Sequence, residues 1–326
     1  MNGIDYRAGL LRRRLLKRYK HLSKWARRAD TEAWRLYDRD IPEVPLRIDI
    51  YKDLICAAYY PYEQSDNVFP CEYIQIISDT TSISPQNIYC KIHTRKHHKK
   101  GEGAQYEKSY TQERSVVIRE NGLLFRVNLN KYLDTGLFLD ARLVRKTAAQ
   151  NAGGRRVLNL FAYTGTFSVY AAHAGAAHTC SVDISNTYLG AAAENFALNT
   201  LSVSWNAPLD RNGNILVRAD CRRFIEDARQ LGQKWDIIIL DPPVFSNSKK
   251  MDGVFYLKRD YQDMLNRCAA LLAEGGSMFF SAKGASIDSL VTPPFRAVCI
   301  TGKVRDADFI KRKIPHWGLL SLGSRP

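Results

Sequence analysis

With 326 residues the chain is long enough for about two domains and a core that needs no disulfide or metal staples. Hydrophobic residues make up 45% and charged residues 25%, which excludes a wholly disordered or fibrous protein. Lys and Arg number 48 against 33 Asp and Glu, a formal net charge of +15, so a polyanionic partner is the first expectation.

The first 40 residues carry 12 Lys and Arg against five acids, +7 of the total. Within them Leu11, Leu15, Tyr19, Leu22 and Ala26 recur at three- and four-residue steps, a helical apolar stripe with arginines on the other faces. We read 1–40 as a basic amphipathic helical segment that could lie on a membrane surface or another protein but is more simply docked by its stripe, leaving the Arg/Lys face, with Arg12, Arg13 and Arg14, for the phosphates of a nucleic acid. Leu alternates with Arg here where a secretory signal has an unbroken apolar core, and no stretch reaches the roughly 18 to 20 apolar residues of a membrane span. A cytoplasmic protein without membrane contact is expected.

From 41 to 130 the period changes to two. The stretches LRIDIYKDLICAAYY, EYIQIIS and IYCKIHTR read as strands of a small, largely antiparallel β-rich domain. In SVVIRENGLLFRVNL, Asn121-Gly122 favours a type I′ hairpin turn. The run HTRKHHKKGEGAQYEK, 93–108, is basic and unpatterned. It reads as a mobile loop, either an ordinary solvated one or one that contacts nucleic acid, with Lys96, Lys99 and Lys100 as the candidates for that contact. His93, His97 and His98 lack the Cys or carboxylate that would complete a metal site, and the seven cysteines (Cys56, Cys71, Cys90, Cys180, Cys221, Cys268, Cys299) form no C-x-x-C pair. Reduced thiols and no metal are expected.

From 131 to 326 short apolar strands alternate with helices: RRVLNLF then TFSVYAAHAG, HTCSVDI then YLGAAAENFALN, NILVRAD then RRFIEDARQL, WDIIILD, a helix over YQDMLNRCAALLAEG, and GSMFFSA. This pattern is that of a doubly wound parallel α/β sheet, Rossmann-like, whose ligands bind beyond the carboxyl ends of the strands. Gly165 follows the first strand, with Thr164 and Thr166 able to cap the next helix. Asp183 ends the second strand, 18 residues on, where a carboxylate can accept from both ribose hydroxyls. Asp220 ends the third, placed for an adenine amino group, and Asp241-Pro242-Pro243 makes a stiff corner after the fourth. Either acid alone could be only a helix cap; together they describe a nucleoside site. A nicotinamide enzyme would want G-x-G-x-x-G for a pyrophosphate, and one glycine of that set is present. S-adenosylmethionine suits the set better.

NKYLDTGLFLDARLVRK, VLNLFAYTGTFSVYAAHAGA, SVDISNTYLGAAAENFALN and LDPPVFSNSKKM, in that order, resemble the bacterial RlmK-type 23S rRNA methyltransferases, found alone or as the C-terminal half of the bifunctional RlmKL. RLYDRDIPEVPLRIDIY, 35–51, extends the likeness to nearly the whole chain. The resemblance implies methyl transfer from S-adenosylmethionine to guanine N7 in 23S rRNA or a large-subunit assembly intermediate. It implies Tyr163, Thr164 and Gly165 at the methionine side, Asp183 and Ile184 at the ribose, Asp220 at the adenine, and Arg142 closing over the cofactor. Asp241, Pro242, Pro243 and Phe245 would form the target-base side. The RNA-capturing half of RlmKL has no counterpart here, so residues 1–130 or a separate partner protein would take that part. FSAKGAS, 280–286, departs from the Asn-containing segment that the resemblance leads one to expect. A C5-cytosine enzyme of the RlmI type needs a thiolate, and neither DPPVFSNSK nor MFFSAKGAS supplies a cysteine. A non-catalytic ribosome-assembly factor is the third reading, and three retained acids speak against it.

Overall fold

The basic N-terminus folds as one helix, α1 (Gly3–Arg28). Its stripe residues Leu11, Leu15, Leu22 and Ala26 are buried against Trp34, Leu36, Ile48, Ile55 and Ile77. Each leucine so buried contributes about 1.5 to 3 kcal/mol, enough to fix the face the helix shows to its sheet. That sheet has the order β1 (Ala33–Asp38), β2 (Leu46–Tyr51), β3 (Leu54–Tyr59), β4 (Ile88–Ile92). Its first two pairings are antiparallel and β3–β4 is parallel. The parallel return needs a crossover, and α2 (Cys71–Thr81) supplies it. This corrects the strand expected at EYIQIIS: Tyr73, Ile76, Ile77, Thr80 and Thr81 are the buried residues, a spacing of three and four. Four apolar residues in so short a window fit both periods, and the longer run through Thr81 is helical. Strands β5 (Ser115–Glu120) and β6 (Leu123–Asn128) form the expected hairpin. Asn121 and Gly122 have φ of 50° and 79°, both left-handed as a type I′ turn demands, and Asp30 Oδ2 accepts the Gly122 N–H at 2.6 Å.

This computed structural model describes residues 3–62, 68–93, 114–130, 134–246, 253–282, 295–309 and 316–322. The chain divides into two units, 1–139 with 307–312 and 140–306 with 313–326. The expected boundaries at 40 and 130 therefore fall inside the first unit, and β1 lies within the segment read as helical. Lys96, Lys99 and Lys100 lie outside the described residues.

The second unit runs α3 (Arg142–Ala149), β7 (Arg156–Leu160), α4 (Thr166–His173), β8 (His178–Asp183), α5 (Asn186–Leu198), β9 (Ser204–Trp205), β10 (Gly213–Arg218), α6 (Cys221–Gln230), β11 (Trp235–Leu240), β12 (Phe245–Ser246), β13 (Phe255–Tyr256), α7 (Leu257–Ala269), β14 (Leu272–Ala282), β15 (Phe295–Cys299) and β16 (His316–Leu322). Its main sheet has the order β15-β16-β14-β11-β7-β8-β10-β9. All neighbours from β14 to β9 are parallel, and β16 lies antiparallel between β14 and β15. Helix α7 stops at Ala269, short of the sequence expectation, and Leu272 to Gly275 open β14 instead. There a Cβ on Gly276 would meet the Ala273, Asp236 and Trp235 carbonyls at 2.9 to 3.2 Å, so the close approach of β11 selects glycine.

Adjacent residues of the central strands enter different cores. Leu158, Leu160, Ile238 and Leu240 pack in one, while Val157, Ile237, Ile239 and Phe279 pack in the other. Burial on both faces is why these strands read as unbroken apolar runs. The chain winds from β7 out to β8 and β10, then returns to β11 and β14, so strand order reverses between β7 and β11. Crevices at such a reversal, beyond the strand carboxyl ends, are where open α/β sheets bind ligands.

Candidate active site

The site begins with the loop that leaves β7. Phe161, Tyr163 and Gly165 have φ of 56°, 53° and 69°, three left-handed residues in five. The left-handed region costs a residue with a Cβ roughly 1 to 2 kcal/mol, so Phe161 and Tyr163 hold this shape only because their surroundings impose it. Those surroundings are hydrogen bonds: the Phe161 N–H donates to Cys221 Sγ at 3.2 Å, the Ala162 N–H to the Val182 carbonyl at 2.9 Å, and the Tyr163 N–H to Asp183 Oδ2 at 2.9 Å. Asn195 Nδ2 donates to the Thr164 carbonyl at 2.9 Å. The glycine has a second reason. A Cβ at Gly165 would stand 2.8 Å from the Ala192 Cβ, so it serves the packing of the loop on α5 as well as the turn.

Asp183 closes β8. Its Oδ1 accepts the Ser185 N–H at 2.9 Å, and the Ile184 N–H donates to the same carboxylate. Burial pushes the Asp183 carboxyl up, and the N–H groups of Ser185, Tyr163 and Ile184 pull it down. A carboxylate has about four acceptor positions, so it can take further donors while it orders two loops. Next to it, Arg218 pairs in register with Asp183, and the Ala219 N–H donates to the Asp183 carbonyl at 3.2 Å. Asp220 follows as the N-cap of α6, its Oδ1 accepting the Arg222 N–H at 2.8 Å and its Oδ2 facing the Arg222 guanidinium at 3.3 Å. Asp220 is thus the helix cap that the sequence offered as the alternative, and it stands on the rim where the nucleoside reading put it. Cys221 follows Asp220 as the first residue of α6, and burial pushes its thiol well above its usual range, with Asp183 adding to the rise.

On the other side of β7, Asp241, Pro242 and Pro243 leave β11. Phe245 pairs with Tyr256 across the β12–β13 ribbon, their ring centroids 4.9 Å apart. Phe161 reaches the same ribbon through Phe255 at 5.9 Å, and Tyr163 meets Tyr188 edge-on at 4.5 Å. The structure therefore brings Tyr163, Thr164, Gly165, Asp183, Ile184, Asp220, Asp241, Pro242, Pro243 and Phe245 to the carboxyl ends of four strands adjacent in the sheet. Arg142, expected to close over the cofactor, is instead buried, its Nη1 2.9 Å from Asp306. Of the three arginines expected to meet RNA, Arg14 turns to buried Asp40 at 2.8 Å and Arg12 to Asp79 at 3.1 Å. Sequence reasoning missed Asn195, Tyr188 and Tyr256, and it could not see the strain at Phe161 and Tyr163, since nothing but tertiary hydrogen bonding marks such residues. Among the described residues no three His, Cys, Asp or Glu side chains gather as a metal site, and no helix is long and apolar enough to cross a membrane.

The donor set suits a nucleoside with a cationic arm: carboxylates at successive strand ends, and one tight glycine where a pyrophosphate asks for several. The fold and rim together define a doubly wound α/β enzyme with a nucleoside-type cofactor. The model of the S-adenosylmethionine-dependent methyltransferase family matches residues 90–307. The ribosomal RNA large subunit methyltransferase K of Neisseria meningitidis is 41% identical over 308 residues, covering 92% of this chain and 84% of that protein. The K/L methyltransferase of Marinobacter nauticus is 36% identical, and the match covers 95% of this chain but 42% of that longer protein. Among solved structures, an S-adenosylmethionine-dependent methyltransferase from Streptococcus mutans superposes with a TM-score of 0.74 at 22% identity, covering 96% of this chain and 81% of that one. The chain belongs to the S-adenosylmethionine-dependent methyltransferases and, within them, to the RlmK type. Its methyl donor is S-adenosylmethionine.

Proposed function

We propose that this protein methylates 23S rRNA at a guanine N7, on naked RNA or an assembling large subunit in the cytoplasm. The observation that carries the reading is the joint placement of Asp183, Asp220 and Asp241 on one rim around the strained Phe161–Gly165 loop, in a chain 41% identical to a large-subunit methyltransferase K. When bound, the cofactor supplies an electrophilic methyl on a sulfonium. Asp183 accepts from the ribose hydroxyls, with Ile184 alongside, and Asp220 accepts from the adenine amino group. Tyr163, Thr164 and Gly165 line the methionine side. Guanine N7 has a lone pair and no proton, so the chain needs no general base. What it must do is hold N7 in line with the methyl carbon and sulfur, the kind of alignment worth up to about 7 to 11 kcal/mol in well-oriented systems.

A guanine in a stem must leave its stack to be reached. Phe245, half-buried at the mouth of the β12–β13 ribbon, offers a ring for it, Asp241 accepts from N1–H and N2–H, and Pro242 and Pro243 keep that corner rigid. The buried, high-pKa thiol of Cys221 is ill suited to the thiolate addition of C5 chemistry. The test is nucleoside mass spectrometry of 23S rRNA from cells with and without the protein. Loss of 7-methylguanosine is expected. Loss of 5-methylcytidine with 7-methylguanosine intact would replace N7 by C5, and no change in either would leave an assembly factor that does not turn over.

A further inference from the structure

Helix α1 carries ten Lys and Arg and a single acid, Asp5, and the fold sorts the nine that follow Arg7 into two groups. Arg14 and Arg18 turn inward to the buried carboxylate of Asp40, at 2.8 and 3.5 Å, and Arg12 pairs with Asp79 on α2. Arg13, Lys17, Lys20, Lys24, Arg27 and Arg28 are all exposed, and none of the six has an ion pair among the described residues. The first five follow one another at steps of four, three, four and three, which at about 3.6 residues per turn keeps them on one stripe, opposite Leu11, Leu15, Leu22 and Ala26. With about 1.5 Å of rise per residue the stripe is roughly 21 Å long, one cation every 4.5 to 6 Å or so. That interval is comparable to the separation of successive phosphates along one RNA strand.

We propose that this outward stripe of α1 is the track along which the phosphate backbone of the RNA substrate lies, with Arg13, Lys17, Lys20, Lys24 and Arg27 each meeting a phosphate. The proposal rests on the RNA reading above and replaces Arg12 and Arg14 with residues that have no carboxylate to leave. Charge complementarity selects the occupant. An unrelieved row of cations on a rigid helix gains by releasing counterions from a polyphosphate. A lipid surface would need the apolar face of the helix, and that face is buried in the core of its own unit. The row carries no base-reading geometry, so it positions RNA without choosing the sequence.

The experiment compares the protein with a Lys17→Gln, Lys20→Gln, Lys24→Gln variant, and with Lys→Arg at the same three positions, for binding to a large-subunit rRNA stem–loop fragment over a salt series. The neutralised variant is expected to bind about tenfold or more weakly at low salt, with a salt slope shallower by about two to three units. Its KM for RNA rises at unchanged kcat, and the Arg variant keeps both slope and KM. Unchanged melting shows that the helix is intact. A folded Gln variant with the parent slope and KM would overturn the proposal, as would a variant that loses binding to anionic phospholipid vesicles while RNA binding stays the same. Absence of methyl transfer by the unaltered protein would sink the reaction instead, while the binding arm still judges the stripe.

Discussion

The backbone N–H of Tyr163 donates to Asp183 Oδ2 at 2.9 Å, joining the loop after β7 to the end of β8. The carboxylate assigned to the cofactor ribose therefore also shapes the loop that would hold the methionine arm. Asp183→Ala should weaken S-adenosylmethionine binding about 10- to 100-fold through the lost charge-assisted bonds. It should also lower stability, since the Tyr163, Ser185 and Ile184 N–H groups lose their acceptor at roughly 1 kcal/mol or more in total. Calorimetry on the folded variant decides: full affinity in a protein with lowered melting would leave Asp183 a loop anchor and nothing more.

Gly165→Ala places a Cβ 2.8 Å from the Ala192 Cβ on a residue whose φ is 69°. The left-handed backbone alone costs about 1 to 2 kcal/mol, and the clash adds to it. Pairing the change with Ala192→Gly should relieve the clash and leave the backbone cost, on top of the roughly 1 kcal/mol that a glycine inside α5 costs by itself. Denaturant midpoints of both single variants and the double variant separate these contributions, and strictly additive losses would mean that the loop shifts freely instead.

Transfer to N7 asks nothing of a thiol. Cys221→Ser, which keeps an acceptor for the Phe161 N–H, should retain methyl transfer within a few-fold, read as tritium incorporated into rRNA. Complete loss of turnover with cofactor affinity intact would return the C5 mechanism to consideration.

His178 opens β8 fully buried, and burial, aided by the Arg156 charge, pushes its imidazole down to about 4. The unfolded chain takes up that proton near 6.5, so between these values the unfolded state binds more protons. Stability from this group is complete above about 6.5 and is lost as the pH falls towards 4, by up to about 3 kcal/mol over the interval. Urea unfolding at pH 7 and pH 4.5 should show a steeper decline for the parent protein than for His178→Asn. Parallel declines would mean that His178 is protonated in the folded state.

The alternation of strands and helices after residue 131 was legible because both faces of the parallel sheet are covered, so each strand is an apolar run and each helix a periodic one. The acids at strand ends were legible for the same reason: once the strands are located, the next polar residue stands at the rim. EYIQIIS was misread because four apolar residues do not separate a period of two from one of 3.6, and only burial through Thr81 makes it α2.

Sequence alone determined the wound sheet, the rim acids and the surplus of positive charge, because these depend on local periodicity and composition. Tertiary structure decided which charges remain available. Asp40 and Asp79 are remote in sequence from the arginines they hold, so only folding could set Arg12 and Arg14 apart from Arg13. It also decided the left-handed turn of Phe161 and Tyr163, which no residue type announces and which persists because Cys221, Val182 and Asp183 arrive from neighbouring strand ends to accept their hydrogen bonds.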